Sequence, residues 1–233
     1  MMDVCIPTVR EIDVQKISSM LREAGVPYDH ILIDSTTKPL GKAREALISR
    51  VTTKEFLFLD DDVYLPKGWY EQMSQYDAPW VESYALPTNP EPLKKLSNWS
   101  YKRRYGSKPY VLRPQDRGFT CATIIETDFV KDWKSPENLH YFEDKAICDH
   151  VKQKSGKCLR VPVMCDHNEP YDFFEHLKPS MKQMKDYYPR YVGLRFSVFT
   201  GLNAIRCSWN LRDFAVAKFG IRYAWGIFRW YYF

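Results

Sequence analysis

Three consecutive carboxylates, Asp60-Asp61-Asp62, stand directly behind the apolar run Phe56-Leu57-Phe58-Leu59. Like charges this close repel and raise one another's pKa, so an oxygen-seeking divalent cation such as Mg²⁺ or Mn²⁺ is the simplest way to hold them. The competing reading is a turn, or a cap for a helix starting at Pro66-Lys67-Gly68-Trp69. A second acidic pair, Glu143-Asp144, follows two aromatic residues and opens a helical pattern. There the helix macrodipole favours an ionised carboxylate placed as a base, although acids in first turns are also routine capping. Asp34 closes a short apolar run, and His167 sits in Asp166-His167-Asn168, where it reads either as a metal ligand or as a hydrogen-bonded loop histidine. Lys42 and Arg44 fall in the first turn of another helical pattern; cations are unfavourable there, which invites an anionic ligand nearby or pairing with Glu45.

These residues need a sheet to gather them. Phe56 to Leu59 has the continuous apolar character of a strand buried on both faces, so the triplet lies at its carboxyl end, where ligands collect in open α/β sheets. Upstream, Val4-Cys5-Ile6 with Pro7-Thr8 and Ile31-Leu32-Ile33 with Asp34 read as two more strands. The helix between them has Val14, Ile17, Met20 and Leu21 on one face and Asp13 as its cap. That βαβ order predicts a parallel sheet with right-handed crossovers. Further strands are expected at Trp80–Ala85, Gly118–Ile125 and Leu159–Met164. A helix with Ala146, Ile147, His150 and Val151 on one face should run from Glu143 to Gly156. Between Pro87 and Arg117 the periodicity is lost, and a flexible flap over the site is the expectation.

The chain's 233 residues suffice for one large α/β domain with an appendage. Its six cysteines are scattered without a C-x-x-C pair, and Met1-Met2-Asp3 leads into a strand rather than into a basic and then apolar leader. Both point to a cytoplasmic protein, which makes the Asn98-Trp99-Ser100 glycosylation triplet accidental.

The order of features, with Gly41-Lys42-Ala43-Arg44 before the acidic triplet and Glu143-Asp144 after it, resembles the GT-A fold of nucleotide-sugar glycosyltransferases, and within it the inverting family 2 enzymes, over roughly residues 3 to 170. The resemblance implies an α/β, Rossmann-like, mostly parallel sheet flanked by helices, with a transferase domain at 1–177. It implies a UDP- or GDP-sugar donor bordered by Pro7, Thr8 and Glu11, with Asp34 at the base and Gly41, Arg44, Asp60 and Asp61 near the diphosphate. It further implies Mn²⁺ or Mg²⁺ held by Asp60, Asp62 and His167, and Asp144, with Glu143, as the catalytic acids. The family's Gln-x-x-Arg-Trp motif is missing, which argues against polymer synthesis, and Glu45 replaces the usual Asn after the arginine.

Residues 178–233 carry ten Lys or Arg against two acids, a net +8 within a total of +5, which leaves −3 for the remainder. Aromatics crowd this tail. Its longest uncharged run, Phe196 to Ile205, is ten residues, short of the about 20 that a membrane span requires. A helical, basic-aromatic extension lying on the cytoplasmic face of an anionic membrane is therefore expected, with a closing helix packed on the body as the alternative. A lipid-linked acceptor would suit that placement; the acceptor is otherwise unspecified. Two other readings compete: a sugar-nucleotidyltransferase, whose Gly-rich phosphate loop is absent, and a non-catalytic membrane- or nucleic-acid-binding module. No nucleic-acid partner is expected under the transferase reading.

Overall fold

The apolar runs form an eight-stranded mixed sheet of order β2-β1-β3-β7-β5-β8-β4, with β6 on β8. Here β1 is Met2–Pro7, β2 Tyr28–Asp34, β3 Glu55–Leu59, β4 Val63–Tyr64, β5 Trp80–Pro87, β6 Tyr110–Val111, β7 Ala122–Glu126 and β8 Leu159–His167. The computed structural model describes residues 1–155, 157–168 and 173–232. The first three strands are parallel; β7 opposes β3, and β5 opposes β7, so β1, β2, β3 and β5 share one direction. This is the expected α/β architecture with helices on the sheet and a helical C-terminal extension. Its first half follows the βαβ reading and its second half turns antiparallel.

Residues Phe56 to Leu59 of β3 are at most 1% exposed, which is why that run carries no polar alternation. Helix α1 (Val14–Glu23) starts at Asp13, whose carboxylate accepts from the Gln15 and Lys16 amides. Its Met20 and Leu21 pack on Met2, Val4 and Ile6 of β1 and on Leu57 and Leu59. Helix α2 is Leu40–Arg50, α3 Trp69–Met73 and α5 Glu143–Ser155; Gly156, expected to end α5, lies outside the described residues. Gly68 caps α3, so the acidic triplet is not its cap.

The chain forms two compact units: Met1–Ala85 with Ser107–His167, and Leu86–Gly106 with Asn168–Phe233. Residue 177, the expected end of the first domain, lies inside α6 (Phe173–Tyr187). The flap expected from Pro87 to Arg117 is corrected. About half of it is helix α4 (Glu91–Tyr105), which begins at Pro90 with a second proline in its first turn. Its buried face is only Leu93, Leu96 and Tyr101, a stripe too sparse to stand out among Lys94, Lys95, Lys102, Arg103 and Arg104.

The second unit contains α4, α6, α7 (Arg190–Leu211) and α8 (Phe214–Tyr232), the last two forming a hairpin. Leu96 of α4 packs on Ala204, Cys207 and Val216. A Cβ on Gly220 would sit 2.0 Å from the Ala204 Cβ, so glycine is what lets α7 and α8 approach there. Among the described residues no helix is long and apolar enough to cross a membrane. All six cysteines are buried free thiols.

Candidate active site

The carboxyl ends of β1, β2 and β3 lie side by side, Pro7 opposite Asp34 in the ladder and Cys5 opposite Phe58. The candidate residues of these strands therefore stand at one sheet edge, where they do different work. Asp34 is turned onto its own loop: its Oδ1 accepts the amides of Thr36 (3.0 Å) and Thr37 (2.9 Å). Burial would raise this carboxyl, but those bonds, that of the Thr37 hydroxyl and the charge of Arg50 hold it below 3.8. The Thr8 hydroxyl donates to Asp61 Oδ2 and accepts the Arg10 amide at 2.9 Å, tying the β1 turn to the acidic triplet. Arg10 reaches Asp61 at 3.9 Å and Asp62 at 3.8 Å. Pro7 is buried and Glu11 exposed beyond the same turn.

Arg44 is the buried hub. From the first turns of α2 it donates Nη2 to Asp60 Oδ1 at 2.9 Å and Nε to Glu143 Oε1 at 3.2 Å, with the Phe58 ring 5.0 Å beneath its guanidinium. Burial alone would depress the guanidinium pKa; Asp60 and Glu143 reverse this and raise it. Its Nη1 is buried without a hydrogen-bond partner among the described residues. Arg44 is 2% exposed and paired with Asp60 and Glu143, not with Glu45. Lys42 pairs with Glu45 at 2.9 Å. Gly41 fits because a Cβ would stand 2.3 Å from Ser135 Oγ, and its amide donates to the Leu139 carbonyl at 3.0 Å. Its glycine identity answers to packing.

The second acidic pair is set by a strained turn. Phe142 is 2% exposed and holds φ +64°, a left-handed conformation that costs a bulky residue about 1–2 kcal/mol. The Arg117 guanidinium covers its ring at 4.4 Å and forks onto Asp144, Nε 2.9 Å from both carboxylate oxygens and Nη2 2.7 Å from Oδ2. Glu143, 5% exposed, is pushed up to about 7 by burial, with Arg44 opposing and Asp144 adding to the rise.

Sequence reasoning missed the frame that holds Arg117. Glu82 of β5 is fully buried; it accepts from Arg160 Nε (2.5 Å), Trp80 Nε1 (2.7 Å) and the Phe119 amide (2.7 Å). Arg160 also donates Nη2 to the Arg117 carbonyl at 2.8 Å. The available signal was a glutamate inside Trp80-Val81-Glu82-Ser83, because a strand buried on both faces can carry a charge only if it is paired.

His167 reaches the site through the sheet. β4 and β8 pair antiparallel with Val63 opposite His167, which carries the imidazole Nε2 to 3.2 Å from Asp62 Oδ1. Burial would raise the Asp62 carboxyl, but the His167 hydrogen bond and charge, helped by Arg10, hold it below 3.8. Of the three expected cation ligands, two meet here, while Asp60 is engaged by Arg44. Among the described residues no group of three or more His, Cys, Asp or Glu is arranged to hold a metal ion.

No protein-family model matches the chain, and no curated protein matches it in sequence. Among solved structures it is similar to TarS from S. aureus, at 13% identity and a TM-score of 0.49, over 78% of this chain and 39% of that one. It is also similar to TarS 1–349 in complex with UDP (11% identity, TM-score 0.48, 94% and 90% covered). For TarS 1–349 in complex with UDP-GlcNAc the values are 13%, 0.41, 77% and 65%. The chain thus spans about two fifths of the longest of these, and likeness at this level assigns neither family, activity nor ligand.

Proposed function

We propose that the first unit is a GT-A-type transferase that moves one sugar from a UDP- or GDP-sugar to an acceptor hydroxyl with inversion. The observation that carries this reading is the Asp62–His167 pair, 3.2 Å apart at the carboxyl edge of the sheet. Beside it, five carboxylates (Asp60, Asp61, Asp62, Glu143 and Asp144) share three guanidiniums, those of Arg10, Arg44 and Arg117. Such an acidic site repels a diphosphate on its own, and a carboxylate with an imidazole suits Mn²⁺, or Mg²⁺ less well. Asp62 and His167 would hold the cation, with donor oxygens and water completing its shell; when bound, it neutralises charge on the departing diphosphate.

The protein's own residues do the rest. An acceptor O–H gives its proton to a carboxylate oxygen of Asp144 as the acceptor oxygen bonds to the anomeric carbon. The bond from that carbon to the diphosphate oxygen breaks, and the electron pair leaves with the nucleotide. Arg117 yields its Nη2 bond to Asp144 to admit the hydroxyl and orients the carboxylate through Nε. Arg44 keeps Asp60 and Glu143 in register beneath them.

The test is a panel of UDP- and GDP-sugars with and without Mn²⁺, read by thermal shift and slow donor hydrolysis. At 100 times its Kd a true donor stabilises by about 2.7 kcal/mol, and it should do so only with the cation. A chain that no sugar nucleotide stabilises and that hydrolyses none would overturn the proposal.

A further inference from the structure

The α7–α8 hairpin leaves its outer face apolar. On α7, Tyr191, Leu194, Val198, Leu202, Ile205 and Trp209 recur at spacings of three and four, one stripe of a helix, and each is 46% exposed or more. On α8, Phe214, Ile221 and Trp225 repeat the pattern at 84%, 53% and 61%. The two stripes border one groove of about 490 Å³. Trp209 and Phe214 flank the hairpin turn and are both 84% exposed, so the largest apolar side chains stand at its tip.

The charges are laid out around this face. At 100° per residue, Ser197 and Gly201 lie on the groove side of the α7 stripe while Arg195 and Arg206 lie on the other. On α8, Ala224 lies on the groove side and Lys218, Arg222 and Arg229 on the other. In an antiparallel hairpin these become two outer rows of cations with the apolar groove between them. The only acid from Arg190 to Tyr232, Asp213, is paired with Lys95 at 2.7 Å.

We propose that this face docks on an anionic lipid bilayer, lying in the interface without crossing it. The bilayer is the occupant that matches both parts: acyl chains take the Leu, Ile and Val stripe, tryptophans seat at the headgroup level, and the flanking arginines and lysine meet lipid phosphates. A protein groove would need to supply acids on both sides of one wide apolar strip. The inference stands apart from the transferase reading and concerns the second unit alone.

Flotation of the full chain with vesicles tests it, using phosphatidylcholine alone and with about 30% phosphatidylglycerol, from about 0.05 to 0.5 M salt. The wild type should float with the anionic vesicles and release as salt rises. Trp209→Ser/Phe214→Ser/Trp225→Ser should stay in solution with unchanged circular dichroism, since all three side chains are exposed. Arg195→Gln/Arg206→Gln/Arg229→Gln should weaken partition about 100-fold, roughly fivefold per charge. Three results would overturn the proposal: no flotation of the wild type; a concentration-dependent dimer that the Trp/Phe variant abolishes, without vesicle binding; or salt-sensitive retention of single-stranded nucleic acid in place of vesicles.

Discussion

Glu143→Gln should flatten the pH dependence of the first unit's stability. In the native state burial lifts this carboxyl from 4.5 to about 7, against the pull of Arg44 and with a push from Asp144. The folded value lies above the unfolded one, so the native state binds the proton more tightly. The stability this contributes is complete below about 4.5 and is lost as pH rises through about 7. At about 1.4 kcal/mol per tenfold change in proton affinity, the loss amounts to about 3 kcal/mol. Glutamine keeps the shape and the oxygen that accepts from Arg44 Nε, and it does not titrate. Urea unfolding of both proteins, followed by near-UV circular dichroism, isolates the effect, because titrating groups that do not interact with Glu143 cancel in the difference. The stability of the variant relative to wild type should rise by about 3 kcal/mol between about pH 5 and pH 8, roughly 6–12 °C in Tm. A difference that stays constant over that range, or falls, would refute the argument that Glu143 is held in a desolvated, proton-binding position.

Arg44→Met should cost about 3–5 kcal/mol at neutral pH, because Asp60 and Glu143 lose the guanidinium that offsets their desolvation. Adding Asp60→Asn and Glu143→Gln should recover most of it, as chemical denaturation of wild type, the single and the triple variant would show. Gly41→Ala places a Cβ 2.3 Å from Ser135 Oγ and 3.0 Å from the Leu139 carbonyl; overpacking of this kind destabilises by about 1–3 kcal/mol and leaves donor affinity unchanged in material that folds. His167→Ala should raise the Mn²⁺ concentration for half-maximal donor stabilisation at least tenfold, since even outer-shell partners of a metal ligand are worth about 10–100-fold. An unchanged Mn²⁺ titration would remove His167 from the cation site.

Much of the fold could be read because local pattern and tertiary demand agree in the first half of the chain. The Phe56–Leu59 run, the Asp13 cap and the βαβ order each follow from nearest-neighbour physics, and each appears as expected. The second half was harder. Helix α4 buries just three side chains among basic residues, and the antiparallel course of β7 depends on pairing that no local period encodes. At the site, residue types pointed to a sheet edge but not to the partners that each side chain takes there. The partners of Arg44 could not be read because they are Asp60 and Glu143, 16 and 99 residues away in the chain. Arg117 could not be found at all without the Glu82–Arg160 pair that holds its loop. Asp34 and Gly41 stand where the motif reading placed them, yet local hydrogen bonding and packing account for both.

The account turns on Asp144 as the group that takes the acceptor's proton. Asp144→Asn should be measured with the donor selected by the sugar-nucleotide panel, in parallel for turnover and for donor affinity. Its kcat should fall by about 10²–10⁴ with the donor Kd within about twofold of wild type. Wild-type turnover by Asp144→Asn would contradict it.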